Sequence, residues 1–200
     1  MHNRLITKLF SEIEKLKWKS YYNTCKKNGL QLGEGVSLQN GINFGSEPFL
    51  IEIGNFCRIS SSVLFVTHSG GSTIMKKVEG YDDVRVFGRI KVGDNTFIGA
   101  NSTITYNVSI GNNCIITIGA VVNNSIPDNS VYGGIPARYI CSTQEYYERK
   151  KTESVDYPRD LEKNRKKLNT FLRNNLFSKY KPVKKMFRLM IPFVFNFVNI

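Results

Sequence analysis

Aliphatic side chains fall at Val92, Ile98, Ile104, Ile110, Ile116 and Val122, six consecutive positions spaced by six residues. That period matches neither the 3.6 of a helix nor the alternation of a flat strand. It suits a chain that turns a corner after every short strand. Glycine follows the aliphatic residue at Gly93, Gly99 and Gly111, and the position four after each aliphatic is small or branched: Thr96, Ser102, Val108, Cys114, Ala120, Ile126. The pattern recurs earlier at Leu32, Leu38 and Phe44, then at Ile53, Ile59 and Phe65. Three such hexads close one triangular coil, so Ile98 is expected under Ile116, Val92 under Ile110 and Ile104 under Val122, each coil burying its neighbour's apolar ladder. Gly and the corner residues Asn95, Asn101, Asn107 and Asn113 supply the left-handed backbone that tight turns require. A sandwich with turns scattered every 8 to 12 residues is the alternative that this regularity argues against.

The net charge of +12 raises nucleic acid, an anionic membrane surface or a phosphorylated ligand as partners. Its distribution narrows the choice. Residues 1–28 carry seven basic and two acidic side chains and residues 144–200 fourteen and six, which leaves the stretch between them nearly neutral. All 16 glycines lie between Gly29 and Gly134. Three parts follow: an amphipathic helical arm over 1–28, a coiled unit over 29–140 with a loop extruded at 69–91, and a basic, helical, apolar-ended extension over 141–200. No recognition motif accompanies the charge, so nucleic acid is not expected as a partner.

Cys25, Cys57, Cys114 and Cys141 show no CxxC pairing and the histidines are His2 and His68, too few clustered ligands for a zinc site, so no metal is expected. Cys57 and Cys114 occupy inward positions of the repeat and read as small core residues. Reduced thiols in a cytoplasmic protein are expected. Met1 to Phe10 lacks the apolar core of a signal peptide. The run Leu189 to Ile200 is broken by Pro192 and is shorter than the roughly 20 residues that span a bilayer.

The hexads, read with Thr67-His68, Ile98-Gly99-Ala100-Asn101 and the closing Gly133-Gly134-Ile135-Pro136-Ala137-Arg138, resemble the hexapeptide-repeat acyltransferases. The likeness is to the maltose and galactoside O-acetyltransferase branch and its relatives in bacterial capsule and O-antigen biosynthesis, and it covers residues 30–140. It implies a left-handed parallel β-helix, a homotrimer with active sites between subunits, acetyl-CoA as cosubstrate and a carbohydrate acceptor. The histidine of the matching segment is His68, implied as the general base that removes the acceptor proton, a task suited to an imidazole near neutral pH. Ser69 stands where the family usually has Pro or Asp.

A base works better when its other ring nitrogen is held by an acceptor. Glu79, Asp82 and Asp83 in the extruded loop are the candidates, with Glu79 favoured because Glu79-Gly80-Tyr81 resembles a Glu-x-Tyr of galactoside acetyltransferases. The same three acids also fit a merely solvated loop. Carried over by position, Ala100 and Ile118 offer backbone to the pantetheine arm, Asn123 and Asn124 stand where the family often has Thr-Lys, and Arg138 matches an arginine near the CoA phosphates. Asn124 lacks the lysine's charge, so Lys150, Lys151 or another flanking residue is needed to supply it.

The arms carry two further expectations. Leu5, Ile6, Leu9, Phe10, Ile13, Leu16 and Lys17 or Trp18 form a helical stripe expected to pack on the first coil. Leu161, Leu168, Phe171, Leu172 and Leu176 form another, and the segment Lys184 to Phe195 either lies in an anionic membrane interface at the inner face of the cell or folds back on the trimer. The reading is therefore an acetyl-CoA-dependent O-acetyltransferase of a bacterial surface polysaccharide or its precursor, working by direct transfer in a ternary complex. N-acetylation of an amino sugar or antibiotic is the alternative with the same apparatus, and a non-catalytic trimeric β-helix scaffold is the alternative of another class.

Overall fold

The computed structural model describes residues 2–80, 84–156 and 158–176. Among the described residues the hexads and a closing hairpin form thirteen short strands distributed over three sheets. The first sheet contains β1 (Gln31–Leu32), β3 (Ile51–Ile53), β6 (Ile90–Val92) and β9 (Val108–Ile110) in that order. The second contains β2 (Ser37–Leu38), β4 (Arg58–Ile59), β7 (Phe97–Ile98), β10 (Ile115–Ile116), β12 (Ser130–Gly133) and β13 (Arg138–Ser142). The third contains β5 (Leu64–Val66), β8 (Thr103–Thr105) and β11 (Val121–Val122). From β3 to β11 successive strands visit the three sheets in turn, so the chain winds as triangular coils. Pairing between coils is parallel throughout, apart from the closing β12–β13 hairpin.

The register is the one the period predicts. Ile116 pairs with Ile98, Val92 with Ile110 and Val122 with Ile104. The earlier coils continue these ladders through Ile53 to Val92, Ile59 to Ile98 and Phe65 to Ile104. All of these side chains are buried, and so are the fourth-position residues Cys57, Val63, Thr96, Ser102, Val108, Cys114, Ala120 and Ile126. The core is thus a stack of identical layers, in which each aliphatic side chain meets its counterparts one coil above and below.

The corners between the first and second sheets show why Gly is followed by Asn or Asp. Asn55, Asp94, Asn112 and Asp128 each accept a backbone N–H from the preceding coil, those of Glu34, Asn55, Asp94 and Asn112, at 2.7–2.8 Å. A Cβ on Gly93 would lie 2.7 Å from the Asn112 Oδ1, so only glycine admits this close approach. The next residue turns the corner at positive φ: Asn95, Asn113 and Asn129, but also Phe56 at φ +55°. Asn101 and Asn107 turn other corners in the same way. The asparagines expected at corners are therefore there; Phe56 is the exception in its ladder.

The N-terminal arm is one helix, α1 (His2–Lys27). Its packing meets the expectation only at the Trp18 end of the stripe. Trp18, Tyr21, Tyr22 and Cys25 meet the first coil, with Trp18 and Tyr21 against Phe44, whose own ring stacks on Phe65 at 5.5 Å between centroids. Tyr21 also accepts the Phe44 backbone N–H at 2.8 Å. Ile6, Leu9, Phe10, Ile13 and Leu16 are exposed instead. The physical reason is length: a helix of 26 residues runs for about 39 Å, well beyond one coil edge.

Compact packing continues past residue 140 as far as Glu153. β13 folds back on β12, and α2 (Thr143–Glu153) follows, starting with a box in which Ser142 and Glu145 bond each other's backbone N–H. Ile115 and Val131 are buried on this side of the second sheet. Residues 154–176 form a separate unit with a 3-10 turn (Arg159–Lys163) and α3 (Arg165–Leu176), in which Leu161, Leu168, Phe171, Leu172 and Leu176 are half-buried. Among the described residues no helix is long and apolar enough to cross a membrane. The segment Lys184 to Phe195 lies outside the described residues.

Candidate active site

Two corners of the prism carry the expected site residues, one on each edge of the third sheet. The chain leaves that sheet after β5 through Thr67 and His68, and the coil resumes only at β6. The two ends of the intervening excursion are zipped together: Ser69 N–H donates to Val86 at 2.9 Å, Gly88 N–H donates to Thr67 at 2.9 Å, and His68 bridges Phe87 antiparallel. The Phe87 ring lies 5.8 Å from the imidazole. His68 is thereby fixed at the neck of the loop with 42% of its side chain open to solvent.

The carboxylate that meets His68 is Glu47. Its Oε2 lies 2.9 Å from His68 Nδ1 and accepts the Thr67 hydroxyl at 2.5 Å. The Thr67 hydroxyl, then the His68 ring and Ser46, hold the Glu47 carboxyl below its ordinary range despite partial burial. Glu79, expected in this role, is exposed in the turn before Gly80; Asp82 and Asp83 lie outside the described residues. The signal for Glu47 was present in the repeat itself. Leu32 pairs with Ile53 and Leu38 with Ile59, an offset that places residue 47 beneath residue 68.

On the opposite edge, Ala100 and Ile118 lie in consecutive corners between the second and third sheets. Their backbones approach so closely that a Cβ on Gly99 would lie 2.5 Å from the Ile118 nitrogen. The Ala100 carbonyl accepts Gly119 N–H at 2.8 Å. The N–H groups of Ala100 and Ile118 have no hydrogen-bond partner among the described residues, and the Ile118 side chain is exposed. Such a pair of donors at stacked corners fits the amide oxygens of a pantetheine arm. The turn before Arg138 closes over the same edge, through Val121 N–H to the Gly134 carbonyl and Ala137 N–H to the Val121 carbonyl. Arg138 is exposed, with its guanidinium on the Ala137 carbonyl at 3.0 Å.

Asn123 and Asn124 leave the third sheet on the His68 edge, two coils further on, and bond to each other at 3.0 Å. Lys150 and Lys151 are engaged by Glu153 and Glu148. The chain therefore gathers Ala100, Ile118 and Arg138 on one edge and His68 and the two asparagines on the other. Among the described residues no three His, Cys, Asp or Glu side chains come together as a metal site.

Known proteins agree with this architecture. The hexapeptide repeat of succinyl-transferase matches residues 89–124. The chain is 42% identical over 155 residues to Protein CapG of Staphylococcus aureus, covering 74% of this chain and 88% of that protein. It is 30% identical over 96 residues to WbbJ of Escherichia coli K12, named as a candidate lipopolysaccharide biosynthesis O-acetyl transferase, covering 45% of this chain and 49% of that one. The solved hexapeptide-repeat acetyltransferase VCA0836 of Vibrio cholerae shares the fold at a TM-score of 0.50 and 22% identity, over 68% of this chain and 87% of that one. With its coil-to-coil register, its glycine corners and a relative matched over most of its length, this chain belongs to the hexapeptide-repeat acetyltransferase family and is an acyltransferase.

Proposed function

We propose that the chain transfers an acetyl group from acetyl-CoA to a sugar hydroxyl of a bacterial surface polysaccharide or its precursor, with His68 as the general base. The observation that supports it most is the Glu47–His68 pair at the neck of the loop. A carboxylate on Nδ1 keeps the proton on that nitrogen and leaves Nε2 as the basic site of the ring. Acetyl-CoA, when bound, supplies an acetyl thioester whose carbonyl carbon a hydroxyl oxygen attacks as the bond to sulfur breaks. His68 takes the hydroxyl proton on Nε2 and returns it to the departing sulfur, so the ring ends as it began. Glu47 balances the positive charge that the imidazole carries between these two transfers. The Ala100 and Ile118 N–H groups hold the pantetheine, with Arg138 at the phosphate end.

The placement of these groups on opposite edges of the third sheet supports a left-handed β-helix trimer in which each site is shared by two copies. The outward side chains of that sheet are Leu64, Thr103 and Val121 in one row and Val66 and Thr105 in the next, with no charge among them. The first sheet instead presents Glu52 between Lys91 and Arg89 at 3.2 and 3.7 Å, as a solvated face does. The lipopolysaccharide named for WbbJ supports a glycan hydroxyl as acceptor. A cytoplasmic enzyme that works on precursors at the inner face of the membrane fits this reading.

The test is transfer of radiolabel from acetyl-CoA to hydroxyl-bearing and amino-bearing glycans. Label on hydroxyls, released by mild alkali as an ester is, supports O-transfer. Alkali-stable label on amines in preference to hydroxyls overturns it.

A further inference from the structure

The N-terminal helix has two faces that the fold treats differently. Trp18, Tyr21, Tyr22 and Cys25 are committed to the first coil. Ahead of them, Ile6, Leu9, Ile13 and Leu16 follow one another at spacings of three, four and three, with Phe10 beside them, and all five are between 38% and 65% exposed. They form an apolar stripe about 15 Å long, turned away from the face that Trp18 and Cys25 bury. Ordinary surfaces do not keep such a stripe in water.

The charges beside the stripe decide its occupant. In heptad terms Ile6 and Ile13 take position a and Leu9 and Leu16 position d, so Phe10 and Lys17 fall at e and Glu12 and Lys19 at g. A helix lying on an anionic membrane carries basic residues along both flanks. Here Glu12 lies on one flank beside the stripe, with Glu14 beyond the other, whereas Lys8 and Lys15 sit further round and Lys17 and Lys19 follow its last residue, Leu16. The combination of Glu12 at g with Lys17 at e is the one that pairs parallel helices with each other. In the single chain these residues make only exposed pairs, Lys15 with Glu12 at 2.8 Å and Lys17 with Glu14 at 3.0 Å, which exchange readily.

We propose that residues 6–16 of α1 from the copies of this chain join as a short parallel helical bundle, with Glu12 of each copy facing Lys17 of the next. This rests on the trimer reading given above. The helix leaves the coil over a cleft of about 490 Å³ lined by Lys17, Trp18, Tyr21, Asn40, Ile42 and Asn43, which is the third-sheet side of the first coil. That side faces the neighbouring copies in a shared-site trimer, and rotation symmetry makes the emerging helices parallel. Two heptads are too few to associate unaided. The coils hold them at high effective concentration, and they set the number of helices. Ile at a with Leu at d alone favours two strands, while Phe10 at e widens the apolar face.

Disulfide trapping in the full chain tests this. In a Cys141→Ser background, whose other cysteines are buried, Ile13→Cys is expected to give interchain disulfides under mild oxidation at least ~5-fold more than Lys15→Cys on the outer face. Light scattering is run on the same samples. A trimer mass without enrichment at position 13 overturns the bundle alone. A mass of 22.8 kDa, that of one protomer, overturns the trimer and the bundle together. Co-sedimentation with phosphatidylglycerol vesicles that leaves position 13 untrapped assigns the stripe to a membrane and also overturns the proposal.

Discussion

At the scale of single residues, the proposed chemistry rests on Glu47 Oε2 lying 2.9 Å from His68 Nδ1. Glu47→Gln keeps the shape and removes the charge, so kcat is expected to fall about 10²-fold while KM for acetyl-CoA stays within a few-fold. Steady-state kinetics with both substrates varied checks this. The same carboxyl makes a pH prediction. Its folded-state pKa is depressed, chiefly by the Thr67 hydroxyl and then by His68. A depressed carboxyl contributes stability that is present above its unfolded pKa and is lost as pH falls through the folded value. The difference in Tm between the wild type and Glu47→Gln is therefore expected to stay level from neutral pH down to about pH 5 and to shrink below about pH 4. His68 was legible in the sequence because it stands where the repeat breaks. Glu47 was missed because a loop acid was sought near His68 along the chain, whereas the partner is stacked one coil away.

At the scale of elements, the coils are held by repetition, and a residue that breaks the repetition reveals what the corner needs. Asn95, Asn113 and Asn129 turn one ladder of corners at positive φ, and Phe56 occupies the same place in the coil before Asn95 with a ring that is 62% exposed. A bulky side chain in the left-handed region is strained, at a cost of about 1–3 kcal/mol. Phe56→Asn is expected to stabilise the fold by about 1 kcal/mol and raise Tm by about 2–4 °C, read by calorimetry; a fall in Tm means that the ring's cover over Gly35 outweighs the strain. The six-residue period made the strand register, the inward positions and the asparagine corners readable. It said nothing of α2, because the second sheet acquires its cover from a hairpin and a helix that follow the last repeat. Nor did helical spacing in α1 tell how much of the stripe packs: Trp18 at its end meets the coil beside Tyr21, Tyr22 and Cys25, while Ile6, Leu9, Phe10, Ile13 and Leu16 ahead of it do not.

At the scale of the molecule, the positive charge lies in the two arms, and the uncharged third sheet lies between the two halves of the proposed site. Thr103 is central in its outer rows, between Leu64 and Val121. Thr103→Arg places an unpaired charge in the proposed contact, which costs several kcal/mol, so light scattering is expected to find protomers that are folded by circular dichroism and inactive. A trimer of unchanged mass turns the contact to another face. His68 is the proposed base of acetyl transfer. The most direct measurement is the rate of label transfer from acetyl-CoA to the glycan acceptor by His68→Ala, beside the wild type at equal protein concentration and equal assembly mass. A loss of at least ~100-fold with fold and mass unchanged is expected; a rate equal to that of the wild type means that His68 is not the base.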